Sequence, residues 1–232
     1  MARVAVVGGH GKVARHLHPL LVRAGHTPVA LVRNEAHRTD LEELGAEVRL
    51  LDIEKSTAKD FARAFDGCQA VVFAAGAGPD GKVERKRTVD LEGSLKSIDG
   101  AKGARIRRFV QVSAMAVGDP VPADASPVWR AYIEAKRDAD EALRASGLDW
   151  TILRPGWLTD DPGRLRVLIG RDVPEGDIPR ADVAAVIAAV LENDGTIHKQ
   201  WEVVQDGLMI MEAIALAMLT DAAPGAEWAA RG

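Results

Sequence analysis

The residues with the clearest chemical potential are the single tyrosine, Tyr132, and Lys136 four positions later. On a helix, side chains four residues apart lie on one face, one turn from each other. A phenol with a pKa of about 10 is a weak acid at neutral pH, and a neighbouring ammonium lowers that pKa. Such a phenol can act as a general acid toward a carbonyl oxygen. Ser113, at the end of a predicted strand, could hydrogen-bond the same oxygen. We therefore predict a catalytic group of Ser113, Tyr132 and Lys136. The alternative is a structural tyrosine, with Lys136 only binding a cofactor's ribose.

A second pattern, near residue 1, is typical of dinucleotide binding. The apolar run 3–7 leads into Gly8, and a helical pattern follows Gly11. Gly8 allows a sharp turn, Gly11 lets the backbone approach phosphates, and Ala14 is small enough for the helix to pack on the strand. The free N–H groups of the first helical turn then favour an anion. The residues predicted to form this pyrophosphate site are Gly8, His10 through its backbone, Gly11, Lys12 and Val13.

The end of the second predicted strand bears on which dinucleotide binds. Arg33 lies there, nineteen residues after Ala14. An acid at this place accepts hydrogen bonds from a ribose 2′-hydroxyl, whereas an arginine suits a 2′-phosphate. Arg38, one helical turn further, could join Arg33. The pattern favours NADP(H) over NAD(H), although Glu35 could take the hydroxyl role if the loop folds back.

Residues after the third and fourth predicted strands complete the predicted cofactor site. Asp52 and Ile53 would hold the adenine with a carboxylate and an apolar side chain. Ala74, Ala75 and Gly76 offer little side chain to obstruct the cofactor.

The elements that must position these residues alternate between strands and helices. The predicted strands are 3–7, 28–33, 47–51, 70–74, 107–113, 149–153 and 200–205, and the predicted helices are 11–24, 35–44, 57–65, 84–102, 130–146, 180–193 and 209–219. Nearly continuous Val, Ile and Leu in the strands indicate a sheet buried on both faces. The alternation predicts an α/β fold of Rossmann type, with a doubly wound, mostly parallel sheet and helices on both faces. Ligands bind beyond the carboxyl ends of such strands, so loops 76–81, 119–127 and 158–179 should build the substrate side.

Length and composition limit the other possibilities. The 232 residues, 47% of them hydrophobic, can bury one sizeable core. We predict one domain over 1–232, with a small substrate-binding region formed by about 157–180 and the C-terminal segment. A net charge of −4 with interspersed signs predicts neither nucleic acid nor membrane as a partner. A lone cysteine, Cys68, favours the cytoplasm. No metal site is predicted, since the pair Asp160 and Asp161 lacks further ligands nearby. A small-molecule substrate is expected, with monomer or homodimer left open.

Several motifs together resemble those of the atypical short-chain dehydrogenase/reductases of the NAD(P)H-binding, NmrA-like group. They are the glycine turn, Arg33, the Tyr132–Lys136 pair, the run 145–156 and the run 178–184. The resemblance extends to about residue 220 and implies the strand order 3-2-1-4-5-6, with NADP(H) across the switch point. It also implies that Pro155 and Gly156 lie near the nicotinamide.

The chain departs from the pattern of these reductases in two places. The asparagine usual on their fourth helix has no clear match, and Asp90 or Glu92 occupies that region. The run 74–76 lacks the asparagine that some of them carry. Members of the group include reductases, epimerase-like proteins and silent redox sensors, so the resemblance specifies fold and cofactor better than reaction.

The combined prediction is an oxidoreductase that moves hydride from NADPH to a small carbonyl, quinone or flavin-like acceptor. Tyr132 would donate the proton, Lys136 would tune its pKa and bind the ribose, and Ser113 would position the oxygen. One alternative is an NADPH-binding regulatory protein without turnover. Another is a nucleotide-sugar epimerase or dehydratase, for which the roughly eighty residues after the sixth strand are few.

Overall fold

The computed structural model describes residues 1–78 and 82–222. Part of the predicted loop 76–81 and the chain from 223 onward lie outside the described residues. The expected contribution of the C-terminal segment to substrate binding falls largely there.

The described chain alternates strands and helices. The strands are β1 (Arg3–Val7), β2 (Thr27–Val32), β3 (Glu47–Leu50), β4 (Ala70–Phe73), β5 (Arg108–Val112), β6 (Asp149–Pro155), β7 (Trp157–Thr159), β8 (Arg166–Gly170), β9 (Asp177–Pro179), β10 (Lys199–Gln205) and β11 (Leu208–Met209). The helices are α1 (Lys12–Arg23), α2 (Arg38–Glu43), α3 (Ala58–Ala64), α4 (Val83–Arg85), α5 (Glu92–Gly103), α6 (Pro127–Arg144), α7 (Arg180–Leu191) and α8 (Ile210–Ala222). Two short 3₁₀ turns cover 35–37 and 194–196, and a π-helical segment, Lys86–Leu91, joins α4 to α5.

The sheet topology confirms the predicted fold class. The strands lie in the order β3-β2-β1-β4-β5-β6-β10-β8-β11, and all pairs from β3 to β10 are parallel. This contains the implied order 3-2-1-4-5-6. Strands β8 and β11 add antiparallel pairs at one edge, and β7 pairs with β9 in a separate two-stranded sheet. The region 158–179, which shows no clear periodicity in the sequence, thus holds short strands.

Strand residues alternate between two cores, one on each face of the sheet. In β1, Val4 and Val6 belong to the core that includes residues of α1, α7 and α8, whereas Ala5 and Val7 belong to the core that includes residues of α3, α5 and α6. Burial on both faces explains why the strands are apolar throughout rather than at every second position. The sheet is therefore a rigid support whose carboxyl edge presents the loops of the site.

Residues 1–78 and 82–222 include neither a membrane-spanning helix nor a group of metal-binding side chains. No helix there has the length and apolarity needed to cross a membrane. Nor do those residues include a group of three or more His, Cys, Asp or Glu placed to hold a metal ion.

Candidate active site

The glycine turn between β1 and α1 is shaped by close backbone packing. Gly8 has φ +80°, and a Cβ there would lie 2.7 Å from the Cα of Ala75. Gly11 is the N-cap of α1 and provides no side-chain cap. The first N–H groups of α1 therefore have no side-chain acceptor from the cap residue, and together with the helix dipole they suit an anion.

His18, on the buried face of α1, contacts the backbone of the glycine turn. Its imidazole is fully buried, and Nε2 lies 2.7 Å from the carbonyl oxygen of Gly9. Burial lowers the pKa of His18, so the neutral ring donates Nε2–H to that carbonyl. The sequence interpretation missed this role, although the position of His18 four residues after Ala14 places it on the apolar face of the helix.

The buried His18 predicts a loss of stability in acid. An unfolded histidine has a pKa of about 6.5, and the folded value is lower. As pH falls through about 6.5, the unfolded chain binds a proton first, so the free energy of unfolding decreases. His18→Gln should flatten this limb of the pH profile in urea titrations between pH 7 and 5. The exposed His16, on the same helix, supplies the control His16→Gln. An equal flattening in both variants would contradict the prediction.

A crevice of about 290 Å³ opens beside the glycine turn at the carboxyl edge of β1, β2 and β4. Nine of the predicted cofactor residues line it: Gly8, His10, Gly11, Arg33, Asp52, Ile53, Ala74, Ala75 and Gly76. Sequence reasoning missed His37, Glu54, Arg85 and Val89, which also line it. Two of these come from the helical run after β4, which the sequence did not place near β2.

Basic side chains gather at the end of the crevice near β2. The rings of His10 and His37 stack, with centroids 3.6 Å apart. Arg33 Nη1 lies 4.0 Å and Arg85 Nε 3.6 Å from the same Glu54 oxygen. The guanidinium groups of Arg33 and Arg85 therefore both lie near the carboxylate of Glu54 at this end of the crevice.

The expectation that Arg38 joins Arg33 at the crevice needs correction. Arg38 forms ion pairs with Glu35 and Glu42 and also donates to the carbonyl oxygen of Val48. Neither Arg38 nor Glu35 belongs to the crevice lining. Each is held by the other on the helical surface, three residues apart.

In two other predicted cofactor residues, Val13 and Lys12, the side chain already has a place in the protein. The side chain of Val13 is buried in the core, so only its backbone N–H remains to meet an anion. The Lys12 ammonium pairs with Asp160, across from the glycine turn.

Lys136 is buried next to Asp90, whose carboxylate lies close to Gly76 in the crevice lining. Its Nζ donates to the carbonyl oxygen of Val112 at 3.0 Å and lies 3.5 Å from Asp90 Oδ1. Burial lowers the pKa of Lys136, but the neighbouring Asp90, Tyr132 and Asp140 raise it by more than burial lowers it. The pKa of Lys136 is therefore above its ordinary value. Lys136 is therefore a permanent cation within the described site. Asp90, in the region where the reductase pattern has asparagine, is its partner.

The π-helical segment supplies two residues to the same place. Lys86 donates to the carbonyl oxygen of Gly78, and its Nζ lies 5.8 Å from the centre of the Tyr132 ring. Asp90 accepts the Ala77 N–H at 3.0 Å. The sequence predicted an ordinary helix over 84–102 and missed Lys86. A π segment shifts the residues that follow it around the helix axis, and such segments are frequent at functional sites.

Tyr132 is half-buried at the centre of this group, with its ring centre 6.0 Å from Lys136 Nζ. The expectation of a lowered tyrosine pKa needs correction. Burial raises the pKa of Tyr132, and Asp90 and Asp140 raise it further, which outweighs the lowering by Lys136. The phenol is thus a protonated donor at neutral pH.

Ser113 lies at the end of β5 as predicted, but its hydroxyl donates to Asp140 Oδ2 at 2.9 Å. The fully buried Asp140 also receives Gln111 Nε2 at 2.8 Å and Arg154 Nε at 3.0 Å. Gln111 in turn accepts from Ser94. Ser113 therefore belongs to a buried polar network, and its role in positioning a substrate oxygen stays a prediction.

Aromatic side chains form one wall beside Tyr132. Trp129 lies 5.6 Å from Tyr132 and stacks on Trp157, again with ring centres 5.6 Å apart. Trp157 is 61% exposed. Gly156 precedes it at the end of β6, where a Cβ would come within 2.0 Å of the Gly176 carbonyl oxygen. Pro155, which is buried, and Gly156 thus bring Trp157 to the edge of the site.

Comparison with known proteins identifies the family. The profile of a protein family described as NAD(P)H-binding matches residues 8–194. The chain belongs to this NAD(P)H-binding family. The uncharacterized sugar epimerase YhfK of Bacillus subtilis is 34% identical over 213 residues, which cover 91% of this chain and 98% of YhfK.

Solved structures agree with the assignment to the NAD(P)H-binding family. A Bacillus halodurans protein, named as a candidate NAD-dependent epimerase/dehydratase, is 38% identical with a TM-score of 0.85, covering 93% of this chain and 100% of that one. The oxidoreductase YlbE of Lactococcus lactis is 24% identical with a TM-score of 0.81, covering 94% and 97%, and supports the fold alone. The resemblance to NmrA-like, atypical short-chain dehydrogenase/reductases is confirmed.

The described residues of this NAD(P)H-binding protein fit such a cofactor. The uncapped start of α1 suits a pyrophosphate, and the carboxylate of Asp52 and side chain of Ile53 line the crevice where an adenosine would lie. The residues after β4 that line the crevice, Ala74, Ala75 and Gly76, are all small.

Proposed function

We propose that this protein is an NADPH-dependent reductase of a small carbonyl, quinone or flavin-like acceptor. The observation that carries the proposal is the position of its single tyrosine. Tyr132 lies beside two buried lysines, Lys86 and Lys136, which are 5% and 4% exposed. Lys136 pairs with Asp90, whose carboxylate lies against Gly76 in the lining of the crevice. A protonated phenol in such a place is suited to give a proton to an oxygen that gains negative charge.

The chain's own residues would divide the work as follows. Bound NADPH supplies the hydride. Tyr132 holds the proton that a reduced carbonyl or quinone oxygen takes up, and solvent then restores it. Lys136 stays charged, stabilises the phenolate left after transfer and can bind the cofactor's ribose. The Trp129–Trp157 wall offers a flat apolar surface for a ring acceptor. The acceptor gains one hydride and one proton, which is a two-electron reduction.

The proposal includes a preference for NADPH over NADH. It is supported by two arginines, Arg33 and Arg85, which line the crevice and lie within 4.0 Å of the Glu54 carboxylate. A 2′-phosphate would pair with the guanidinium groups that Glu54 shares. The proposal also includes a cytoplasmic location, which the lone cysteine favours. It includes a small molecule as the partner, which the mixed surface charge favours over a nucleic acid.

Arg33→Ala tests the preference directly. We expect NADPH to bind about tenfold more weakly, because one exposed charge-assisted contact to phosphate is lost, while NADH binding stays the same. The matched control is Arg38→Ala, since Arg38 faces Glu35 and Glu42 instead. Fluorescence titration with both cofactors measures the effect. A loss of NADPH binding in the Arg38 variant, or of both cofactors in the Arg33 variant, would contradict the proposal.

Acceptor-dependent oxidation of NADPH tests the reaction. Purified protein that binds NADPH is screened with quinones, free flavins and aldehydes, and absorbance of the reduced nicotinamide is followed. Turnover with one acceptor class supports the reductase. Tight NADPH binding without turnover on any class would favour the second candidate.

The second candidate is an NADPH-binding regulatory protein. Two observations favour it: the pKa of Tyr132 is raised by burial, and the Ser113 hydroxyl is committed to Asp140. Both reduce the readiness of the group for acid catalysis. A change of oligomeric state or partner binding on adding NADPH, with no NADPH consumed, distinguishes this function from the reductase.

A further inference from the structure

Asp160 connects the two sides of the candidate site. It directly follows β7, and its carboxylate pairs with Lys12 and with Arg180 Nη1, the latter at 2.6 Å. Lys12 is the first residue of α1 and Arg180 is the first residue of α7. One carboxylate therefore joins the glycine turn to the segment beyond β6.

The surroundings of Asp160 resemble an anion site already filled by the protein itself. Helices α1 and α7 pack in the same core, and neither has a side-chain cap at its start. Uncapped helix starts carry partial positive charge. Two cations on two such starts stabilise a negative group between them, and hydrogen bonds from Lys12, with the charge of Arg180, lower the pKa of Asp160.

We propose that Asp160 is an internal competitor of the cofactor: its carboxylate occupies Lys12 until the pyrophosphate of the dinucleotide takes that lysine over. Lys12 directly follows Gly11, so an anion on the first turn of α1 comes within reach of its side chain. Arg180 keeps Asp160 close by in either state.

The contact is suited to exchange. The Lys12 and Asp160 side chains are 66% and 59% exposed. Ion pairs of this kind are weak, since water and salt screen them. A pyrophosphate carries more charge than one carboxylate and also meets the N–H groups of α1, so it displaces Asp160 from Lys12. The inference concerns dinucleotide binding at the glycine turn and holds whether or not the reductase activity does.

Asp160→Asn is the direct test, with Asp161→Asn as a matched control that removes the same charge one residue along. Titrations with NADPH and with NADH give the dissociation constants. Asp160→Asn is expected to tighten both cofactors equally, by about three- to fivefold, because both carry the same pyrophosphate. The control should change neither by more than about twofold.

A double-mutant cycle establishes whether Lys12 carries the effect. In a Lys12→Met background, Asp160→Asn should no longer tighten binding, because the competed group is gone. The proposal is overturned if Asp160→Asn weakens binding or leaves it unchanged, or acts on NADPH alone. It is equally overturned if Asp161→Asn has the same effect or if the tightening persists without Lys12. Thermal melts of each variant confirm that the fold is retained.

Discussion

Tyr132→Phe should lower kcat for a carbonyl or quinone acceptor by about 10²- to 10⁴-fold, the usual contribution of a positioned general acid. The dissociation constant for NADPH should stay the same, because the ring remains to pack on Trp129 and to face the two lysines. Steady-state kinetics and a fluorescence titration on the same protein separate these two quantities.

The pH dependence adds a second check on the role of Tyr132. Its pKa lies above the ordinary value of about 10 because burial outweighs Lys136. The phenol therefore stays protonated at neutral pH, and kcat should be nearly independent of pH from about 6 to 9. A kcat that falls with rising pH through this range would show that another group donates the proton.

Trp150→Phe is a suitable control for the aromatic substitution. Trp150 lies near the opposite end of β6 and packs against His198, away from the crevice. It should leave kcat within about twofold. Unchanged turnover in Tyr132→Phe would remove Tyr132 from the mechanism, as expected for an acceptor such as flavin that takes up hydride without a protein acid.

The fold could be predicted from sequence because each strand carries a strong local signal. Apolar runs such as 3–7 and 70–74 are buried on both faces, and their boundaries agree with β1 and β4 within a residue. Strands β8 and β11 were missed, and so were β7 and β9. Strands β7 and β9 have only three residues each, and what positions them is distant contact, such as the Trp157 N–H on the Gly176 carbonyl oxygen.

The residues of the candidate site could be predicted where their position follows from the end of a strand or from the glycine turn. They could not be predicted where tertiary packing brings them together. Nine crevice residues follow directly from the ends of strands and from the glycine turn. Lys86 and Asp90 come together with Tyr132 only through the π segment, which no local pattern indicates. The direction of the Tyr132 pKa shift was wrong because burial is a property of the packed site, not of the spacing to Lys136.

Replacing Asp140 should destabilise the fold more than most single substitutions. It is fully buried on α6 and neutralises Arg154, which is 8% exposed. It also accepts from Ser113 and Gln111. Asp140→Ala leaves a buried guanidinium without its charge partner and two donors without acceptors. We expect a loss of about 3–5 kcal/mol in the free energy of unfolding.

Urea unfolding followed by circular dichroism measures this loss. Asp138→Ala is the control, since Asp138 is exposed on the same helix, and it should change stability by less than about 0.5 kcal/mol. Equal effects of the two substitutions would contradict the importance of the buried network.

A double substitution separates charge from packing. If the penalty in Asp140→Ala comes mainly from the stranded guanidinium, then replacing Arg154 by Met in an Asp140→Asn background should recover part of the stability lost in Asp140→Asn alone. An asparagine amide can keep its single oxygen as the acceptor for Gln111 Nε2 while its NH2 donates to the Ser113 hydroxyl oxygen, so both neutral contacts remain, with Ser113 changed from donor to acceptor. Recovery would mean that the ion pair itself is not needed for stability. It would then follow that the network serves to fix Ser113 and the end of β6, where Pro155 and Gly156 carry Trp157 toward the site.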